Sequence, residues 1–393
     1  MTRAVAIVDG EHYAPVVRDA LRELPYDFSA AVLVGGTEKL RGGEDYGVPL
    51  AATLREAVAE HRPELVYDLS DEPVLTPRKR LDLAARALAL GVPYAGPGFA
   101  FEPPPFEPFP LPSIAVIGTG KRVGKTAVTT HVARLLAREH DVVVVAMGRG
   151  GPAEPELVET PPGVDDLLAL AADGRHAASD HLETAALAGV VTIGCRRCGG
   201  GLAGAAGTSN VLAGARLAAS LEPDVVVFDG SGAAIPPVET AARVLVAHDA
   251  TGLNLYRVLI SDLILVREPD RETAELAAAE GKEVLPFSLR LEPVEPLAGR
   301  RTAVFTAGPA ATEHLDAEVV HVSRNLASRP LLRAELERVD AEVYLVEVKA
   351  AAIDVVARHA RRRGAEVVFV RNDVVSDGLD ERLLALVPQG AAK

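Results

Sequence analysis

The 393-residue sequence predicts an α/β protein built around a doubly wound parallel sheet. Short apolar runs of strand length alternate with helical patterns along the chain, which is typical of parallel strands covered by helices on both faces. One apolar run leads into a glycine-rich turn and then a helical pattern, within residues 113–138. A proline-rich stretch at residues 102–112 interrupts the alternation, and the length exceeds one ordinary core. We therefore expect more than one domain.

The first segment, residues 1–101, is predicted to be an N-terminal Rossmann-like domain. Its strands are expected at residues 4–8, 30–34 and 65–69, and its helices at residues 13–24, 50–61 and 81–90. The glycine fingerprint of a dinucleotide site is missing from it. Residues 102–112 cannot form a helix or a central strand, because proline fixes φ and lacks the amide donor. They are predicted to be a semi-rigid extended linker.

Residues 113–291 are predicted to form the nucleotide-binding core. Its opening strand, residues 113–117, leads into the glycine turn, and the helix behind the turn is expected at residues 127–138. The other strands of this core are expected at residues 142–146, 190–193, 225–228, 244–246 and 263–266.

The last segment, residues 292–393, is predicted to be a C-terminal α/β region that contacts the substrate. Strands are expected at residues 303–306, 319–322, 343–348 and 367–370, with helices at 333–339 and 351–363. This region is either a separate lobe or an extension of the core sheet.

Composition restricts the classes of partner. The net charge of −14 argues against nucleic acid, because phosphate backbones select basic surfaces. No run reaches the roughly 18 to 20 apolar residues needed to cross a bilayer, and the first residues lack the pattern of a signal peptide. The two cysteines cannot form a disulfide framework. We therefore expect a cytoplasmic protein with no nucleic-acid or membrane partner.

The glycine turn has the composition of a phosphate-binding P-loop. It consists of Gly118, Thr119, Gly120, Lys121, Arg122, Val123, Gly124, Lys125 and Thr126. Glycines let backbone amides approach phosphate oxygens, and the following helix adds its positive end. Lys125 is predicted to bridge the β- and γ-phosphates of ATP, Lys121 to assist catalysis and Thr126 to ligate Mg²⁺. The first glycine, Gly118, stands one place early, and the alternative is an ordinary glycine-rich turn before a helix.

Two acids are predicted to complete the Mg²⁺ site. Asp229 follows the apolar run at 225–228, where an acid at a strand tip can hold the metal and act in catalysis. The alternative for Asp229 is a strand-ending aspartate that caps the next turn. Glu154 and Glu156 follow a second strand-end loop, residues 147–152, and one of them, taken to be Glu156, is expected to share the metal; the alternative for each is an exposed acidic loop. In that loop Arg149 is expected to neutralise phosphate charge on the substrate.

A third glycine-rich loop, residues 194–204, contains Arg196 and Arg197 between Cys195 and Cys198. Two arginines among glycines suggest a bidentate grip on an anion, so both are predicted to bind substrate and act in catalysis. The alternative interpretation, from the Cys-x-x-Cys spacing, is zinc binding or redox chemistry at the two cysteines. The chain has no second ligand pair, which excludes a closed four-ligand zinc site from these cysteines alone, and a metal-shuttling or redox role stays open.

Arg324 and Lys349 are the predicted substrate contacts of the C-terminal region. Arg324 stands in a polar turn after the run at 319–322, and Lys349 follows the run at 343–348 at the start of a helical pattern. Other basic residues at strand ends or in loops are Arg257, Arg290, Arg329 and Arg371. Taken singly, each of these cations is more often a solvated surface residue.

The loop at residues 118–126 resembles the Gly-Thr-Asp-Thr-x-Val-Gly-Lys-Thr loop of dethiobiotin synthetases, which accounts for the early glycine. The resemblance implies a P-loop NTPase core of the group that contains partition ATPases and cobyrinate amidases. The signature lysine of the partition ATPases would fall at Gly120, one place before Lys121. A nucleotide-driven dimer switch of their kind is therefore disfavoured.

A wider set of motifs resembles the cyclic 2,3-diphosphoglycerate synthetase family. The set comprises Ile-Val-Asp-Gly-Glu-His-Tyr at residues 7–13, the loop at 118–126, Met-Gly-Arg-Gly-Gly-Pro at 147–152, Cys-Arg-Arg-Cys-Gly-Gly-Gly at 195–201 and Asp-Gly-Ser-Gly at 229–232. The resemblance implies an ATP-dependent ligase that closes 2,3-bisphosphoglycerate into a cyclic pyrophosphate with Mg²⁺, releasing ADP and phosphate. We also expect a homodimer.

Two other functions stay open at this point. One is a kinase that makes 2,3-bisphosphoglycerate from 2-phosphoglycerate or phosphorylates another small molecule. The other is a nucleotide-dependent binding protein or metallochaperone that uses Cys195 and Cys198.

Overall fold

The computed structural model describes residues 1–349 and 351–387, and it confirms the predicted α/β fold class. Residues 388–393, the end of the predicted C-terminal region, lie outside the described residues. The strands are β1 (Thr2–Val8), β2 (Tyr26–Leu33), β3 (Leu50–Ala51), β4 (Leu65–Asp68), β5 (Tyr94–Gly96), β6 (Phe99–Phe101), β7 (Ser113–Gly118), β8 (Val142–Gly148), β9 (Glu156–Val158), β10 (Val191–Cys198), β11 (Thr208–Ser209), β12 (Val225–Asp229), β13 (Ala242–Ala247), β14 (Leu263–Arg267), β15 (Glu283–Pro293), β16 (Arg301–Phe305), β17 (Glu318–Ser323), β18 (Val343–Glu347) and β19 (Glu366–Val375).

The helices lie between these strands as a doubly wound fold requires. They are α1 (Ala14–Glu23), α2 (Leu54–His61), α3 (Pro77–Ala89), α4 (Lys125–Leu136), α5 (Val164–Ala172), α6 (Asp180–Ala188), α7 (Val211–Ser220), α8 (Asn254–Leu259), α9 (Arg271–Ala279), α10 (Arg329–Leu336), α11 (Arg358–Arg362) and α12 (Leu379–Ala385). A π-helical segment, Ala352–Ala357, directly precedes α11. Among the described residues, no helix combines the length and apolar character needed to cross a membrane.

Capping residues account for two helix starts that the sequence analysis misplaced. Helix α2 begins at Leu54 because the Thr53 hydroxyl accepts a hydrogen bond from the Glu56 amide at 3.1 Å. The preceding residues, predicted as helix, form the short strand β3. Helix α3 begins at Pro77, a residue suited to the first helical position, so it starts earlier than expected.

The N-terminal segment forms its own six-stranded sheet, in the order β3-β2-β1-β4-β5-β6. Strand β1 pairs in parallel with β2 on one side and β4 on the other, and only β6 runs antiparallel to its neighbour. Helix α3 packs against α8 of the core, and its Arg86 guanidinium donates to both carboxylate oxygens of Glu280, at the end of α9, at 2.9 and 2.6 Å. The N-terminal sheet is thereby attached to the nucleotide-binding core.

The second sheet has 13 strands, and the phosphate loop follows one near its middle. Its order is β11-β10-β8-β12-β7-β13-β14-β15-β19-β18-β16-β17, with β9 paired to β10. Strand β7 is entirely buried; its Ile114 and Val116 pack in one core with Val128 and Val132 of α4, and its alternate residues face the opposite layer. Because β7 lies directly between β12 and β13, the tips of these three strands meet at one edge.

Strand β15 joins the core to the C-terminal region. Its first half pairs in parallel with β14 and its second half pairs antiparallel with β19. The C-terminal strands therefore extend the core sheet, which was one of the two arrangements left open by the sequence. The strand also crosses the position between residues 291 and 292 at which we expected a domain boundary.

Candidate functional site

Two glycines of the phosphate loop lie in tight contact with the surrounding fold. A Cβ on Gly118 would lie 3.2 Å from the Gly232 carbonyl oxygen, and one on Gly124 would lie 3.1 Å from the Phe287 ring. Gly124 also has a φ of +103°, which side chains other than glycine rarely adopt. The Thr119 hydroxyl accepts a hydrogen bond from the His248 amide at 3.0 Å and so fixes the start of the loop.

Lys125 and Asp229 meet beneath this loop. The Lys125 Nζ lies 2.5 Å from Asp229 Oδ1, and the Thr129 hydroxyl donates to the same oxygen at 2.7 Å. Asp229 reaches Lys125 because β12 is the direct neighbour of β7 in the sheet. Its carboxyl is 2% exposed, and burial raises its pKa, while Lys125 and Thr129 oppose the rise.

One cavity of about 760 Å³ opens beside the loop, between the core and the C-terminal region. The core wall contains Lys121, Arg122, Lys125, Thr126, Arg149, Asp180, Glu183 and Gly230–Gly232. The core also contributes Arg267, and the opposite wall, from the C-terminal region, contains the turn at 307–309, Glu347, Lys349, Arg371 and Asn372. Basic side chains outnumber acidic ones on these walls, so the cavity suits a polyanion although the whole chain is acidic.

The C-terminal wall holds two cations that are already paired with acids. The Lys349 Nζ lies 2.7 and 2.9 Å from the two carboxylate oxygens of Glu183, on helix α6. Burial raises the pKa of Glu183, and Lys349 opposes the rise. The Arg371 Nε donates to Asp373 at 2.7 Å, which points its guanidinium along β19. These ion pairs fix the two cations at the cavity wall.

Arg149 and Arg197 lie side by side near the tip of β12. The Arg149 guanidinium rests on Gly232, where a Cβ would come within 2.6 Å of Nη2. Arg197 is 8% exposed and donates to the carbonyls of Gly199 and Ser231, each at 2.7 Å. Arg149 lines the cavity and Arg197 does not.

Three other predicted site residues lie outside this cavity. The Arg196 side chain is exposed at the end of β10, and Arg324 is exposed after β17. Glu156 lies in β9, where it accepts a hydrogen bond from Arg175 at 2.7 Å and stands 3.6 Å from the His181 ring. Thr126 therefore lines the cavity and Asp229 contacts Lys125 beneath the loop, whereas Glu156 does neither.

Sequence reasoning assigned no site role to two residues on the cavity walls, Asp180 and Arg267, and named Arg371 only among other basic residues. Asp180 begins α6, and its carboxylate lies where a Cβ on Gly148 would come within 3.1 Å, so this acid packs against the tip of β8. Arg267 ends β14, and Arg371 lies in β19. The signal for both arginines was the one used for Lys349, a cation at the end of an apolar run.

The two cysteines do not form a joint site. Both lie in β10, not in the loop that their glycine-rich surroundings predicted. Residues three apart on a strand point to opposite faces, and accordingly Cys195 is buried whereas Cys198 is exposed. Burial raises the pKa of the Cys195 thiol to about 12. Within the part of the chain that the structure describes, no cluster of three or more His, Cys, Asp or Glu side chains is arranged to hold a metal ion.

The strand, phosphate loop and helix, together with an acid from the adjacent strand, define a P-loop enzyme. Family models for the cyclic 2,3-diphosphoglycerate synthetase match in three consecutive parts. The N-terminal domain model matches residues 3–102, the P-loop domain model residues 113–281 and the C-terminal domain model residues 293–373.

Curated relatives match along nearly the whole chain. The cyclic 2,3-diphosphoglycerate synthetase of Rubrobacter xylanophilus is 47% identical, over 98% of this chain and 97% of that protein. Those of Thermococcus kodakarensis and Methanothermobacter thermautotrophicus are 42% and 37% identical, over 96% and 99% of this chain and 96% of each relative. The chain belongs to the cyclic 2,3-diphosphoglycerate synthetase family. The predicted family and enzyme class, an ATP-dependent ligase, are confirmed, and neither the kinase nor the metallochaperone is favoured.

Proposed function

We propose that this chain converts 2,3-bisphosphoglycerate into cyclic 2,3-diphosphoglycerate, with ATP as the phosphoryl donor and with ADP and phosphate as products. One observation carries the proposal. The phosphate loop and the cations of the C-terminal wall line the same cavity of about 760 Å³. A nucleoside triphosphate bound to one wall would therefore face a second polyanion bound to the other.

The reaction needs activation because a phosphate group is a poor electrophile. In the first step the bond between the γ-phosphorus of ATP and its bridging oxygen breaks, and an oxygen of one substrate phosphate takes the phosphoryl group. In the second step the other substrate phosphate attacks the phosphorus that carries the new anhydride. Inorganic phosphate leaves, and the ring closes through a P–O–P bridge. Both reacting phosphates belong to one molecule, so alignment supplies much of the rate.

The nucleotide is proposed to bind the core wall. Loop amides of residues 118–126 and the N-terminus of α4 would receive the phosphates, and Lys125 would exchange Asp229 for the β- and γ-phosphate oxygens. Lys121 lines the same wall and adds positive charge next to them. This part of the site does for ATP what any P-loop does.

The bisphosphoglycerate is proposed to bind the opposite wall. Two phosphates and a carboxylate carry about five negative charges, which several cations must neutralise. Lys349 and Arg371 are present there, and Arg149 and Arg267 reach from the core side. Arg196 and Arg324 lie farther out, so Lys349 is the predicted substrate residue of the C-terminal region that the geometry supports best.

Mg²⁺ fits the donor set at the tip of β12. The Thr126 hydroxyl, the Asp229 carboxylate and the Asp180 carboxylate offer only oxygen atoms, which this hard cation prefers. When bound, Mg²⁺ would neutralise charge on the β- and γ-phosphates. Asp180 is better placed than Glu156 for this role, because Glu156 is paired with Arg175 outside the cavity.

Phosphorus NMR tests the proposed reaction directly. Purified protein with Mg-ATP and 2,3-bisphosphoglycerate should give a new cyclic phosphoanhydride signal, with one ADP and one phosphate for each ring formed. Absence of both products would refute it. If 2-phosphoglycerate instead received and kept the γ-phosphate in an acyclic product, the chain would be a kinase. The homodimer and the cytoplasmic location stay proposals, and light scattering of the purified protein tests the first.

A further inference from the structure

Arg149 and Arg197 form a pair of like charges at the end of the proposed phosphoryl path. Arg149 rests on Gly232 within the cavity, and the same missing Cβ of Gly232 would lie 3.5 Å from Arg197 Nη2. Burial lowers the pKa of Arg197, and the positive charge of Arg149 lowers it further. Two neighbouring guanidinium groups repel each other unless an anion lies between or beside them.

The two arginines differ in what their donors already hold. Arg197 is buried, and two of its nitrogens bind the carbonyls of Gly199 and Ser231. It therefore links the loop after β10 to the turn after β12. Arg149 is exposed to the cavity and lies on that same turn, with its guanidinium against Gly232.

The position of the turn fixes which end of the nucleotide Arg149 would meet. Gly232 lies in the turn that directly follows Asp229, and Asp229 contacts Lys125, the residue proposed to bind the β- and γ-phosphates. Arg149 thus lies on the side of the cavity where the γ-phosphoryl group would leave ADP. In that transfer charge spreads over the three equatorial phosphoryl oxygens, and a planar guanidinium is well suited to donate to them.

We infer that Arg149 binds the phosphoryl group during its transfer and that Arg197 is a positioning residue, which holds the 230–232 turn beneath Arg149. This inference rests on the proposed function for the phosphoryl donor, and it changes the role expected for Arg197. Arg197 does not contact the substrate.

A double-mutant cycle separates the two roles. Arg149→Met, Arg197→Met and the double variant are compared in their affinity for Mg-ADP with aluminium fluoride, which mimics the phosphoryl group in transfer, and for Mg-ATP, by calorimetry. Arg149→Met should weaken binding of the mimic about 100-fold, as loss of one transition-state donor does, and leave ATP affinity nearly unchanged. Arg197→Met should weaken binding of the mimic as well. The double variant should be no worse than Arg149→Met, because Arg197 acts through Arg149.

Two controls guard against trivial outcomes. Arg216→Met removes an exposed arginine of α7 outside the cavity and should behave as the unchanged protein. If Arg197→Met fails to fold, Arg197→Lys keeps the charge and one of the two carbonyl contacts, and it completes the cycle. Gly232→Ala tests the position of Arg149 independently, because its methyl group would come within 2.6 Å of Arg149 Nη2 and displace the guanidinium.

The inference is overturned if the effects of Arg149→Met and Arg197→Met multiply, because each arginine would then contact the phosphoryl group by itself. It is also overturned if Arg149→Met binds the mimic normally. Neither readout depends on the acceptor. A chain that makes no cyclic product yet shows the non-multiplying cycle would lose the proposed function and keep this inference.

Discussion

The Lys125 ammonium lies 2.5 Å from the Asp229 carboxylate, at a point where both side chains are almost removed from solvent. The lysine of the phosphate loop and the acid of the neighbouring strand therefore form a buried ion pair. To reach phosphate oxygens, Lys125 must leave a buried carboxylate that keeps only the Thr129 hydroxyl as partner. Binding of Mg-ATP would compensate Asp229 with a cation at the same moment.

This relationship predicts two effects of Lys125→Met. ATP turnover should fall by at least about 100-fold, because the variant loses a preorganised cation at the transferring group. The free energy of unfolding should also fall by about 3 kcal/mol, because a buried carboxylate loses its ionic partner. Single-turnover assays and urea unfolding measure the two effects. Adding Asp229→Asn to Lys125→Met should restore part of the stability and none of the activity. A single variant as stable as the unchanged protein would contradict the buried-pair interpretation.

The choice between Asp180 and Glu156 as a carboxylate ligand of Mg²⁺ gives a second prediction. Asp180→Asn should weaken the Mg²⁺ dependence of ATP binding more than Glu156→Gln does, because Asp180 lies on the cavity wall and Glu156 is paired with Arg175 outside it. Calorimetric titrations of ATP at several Mg²⁺ concentrations measure the difference. If Glu156→Gln has the larger effect, the assignment made from the sequence is the better one.

The parts of the candidate site that have a local sequence pattern could be proposed from the sequence. Residues 118–126 follow a buried strand and are rich in glycine, and Asp229 is an acid at the end of another buried strand. Asp180 was harder, because its place depends on how α6 packs against β8. No local pattern reports that packing, since it depends on the layer order of the whole sheet.

The cysteine loop shows a different kind of error. Its glycines suggested an irregular loop, but strand β10 continues to Cys198, with residues 191–196 paired to β8 and residues 197–198 paired to β11. A strand sends alternate side chains to opposite faces, so Arg196 is exposed and Arg197 is buried. The sequence analysis assigned the same role to both arginines. Their alternate positions in the strand give them opposite exposures.

Lys349 provides a third prediction. Lys349→Met should raise the KM for 2,3-bisphosphoglycerate roughly tenfold, the effect of losing one charge-assisted hydrogen bond, without changing the affinity for ATP. Initial rates at fixed Mg-ATP measure it. Lys79→Met, which removes an exposed lysine of α3 in the N-terminal segment, is the matched control. An equal loss of ATP affinity would show that Lys349 belongs to the nucleotide side.

The cysteines give a fourth prediction. In the folded protein iodoacetamide should label Cys198 and spare Cys195, because the Cys195 thiol is buried and its pKa is raised to about 12. Peptide mass spectrometry counts the adducts, and denatured protein, in which both react, is the control. Changing both residues to serine should leave ring closure intact. Stoichiometric zinc lost in that double variant would instead revive a metal-binding role.

His181 gives the last prediction, which concerns pH. The ring is 4% exposed and packs so closely on the backbone of β10 that a Cβ on Gly194 would come within 2.6 Å of it. Burial lowers its pKa below the usual 6.5, and the negative charges of Glu156 and Asp180 oppose that change. In the unfolded chain the histidine takes up a proton near pH 6.5, whereas in the folded chain it stays neutral to lower pH.

The folded state therefore has its full stability above pH 6.5 and loses stability as the pH falls from there through the lowered pKa of His181. For one proton the slope is at most about 1.4 kcal/mol per pH unit. Urea unfolding between pH 7.5 and 5 should thus show a steeper loss in the unchanged protein than in His181→Gln, whose side chain does not titrate. His176→Gln removes an exposed histidine beside it and should keep the steep profile. Equal slopes for the unchanged protein and His181→Gln would mean that His181 is protonated at the same pH in both states, and its burial would then have no effect on its titration.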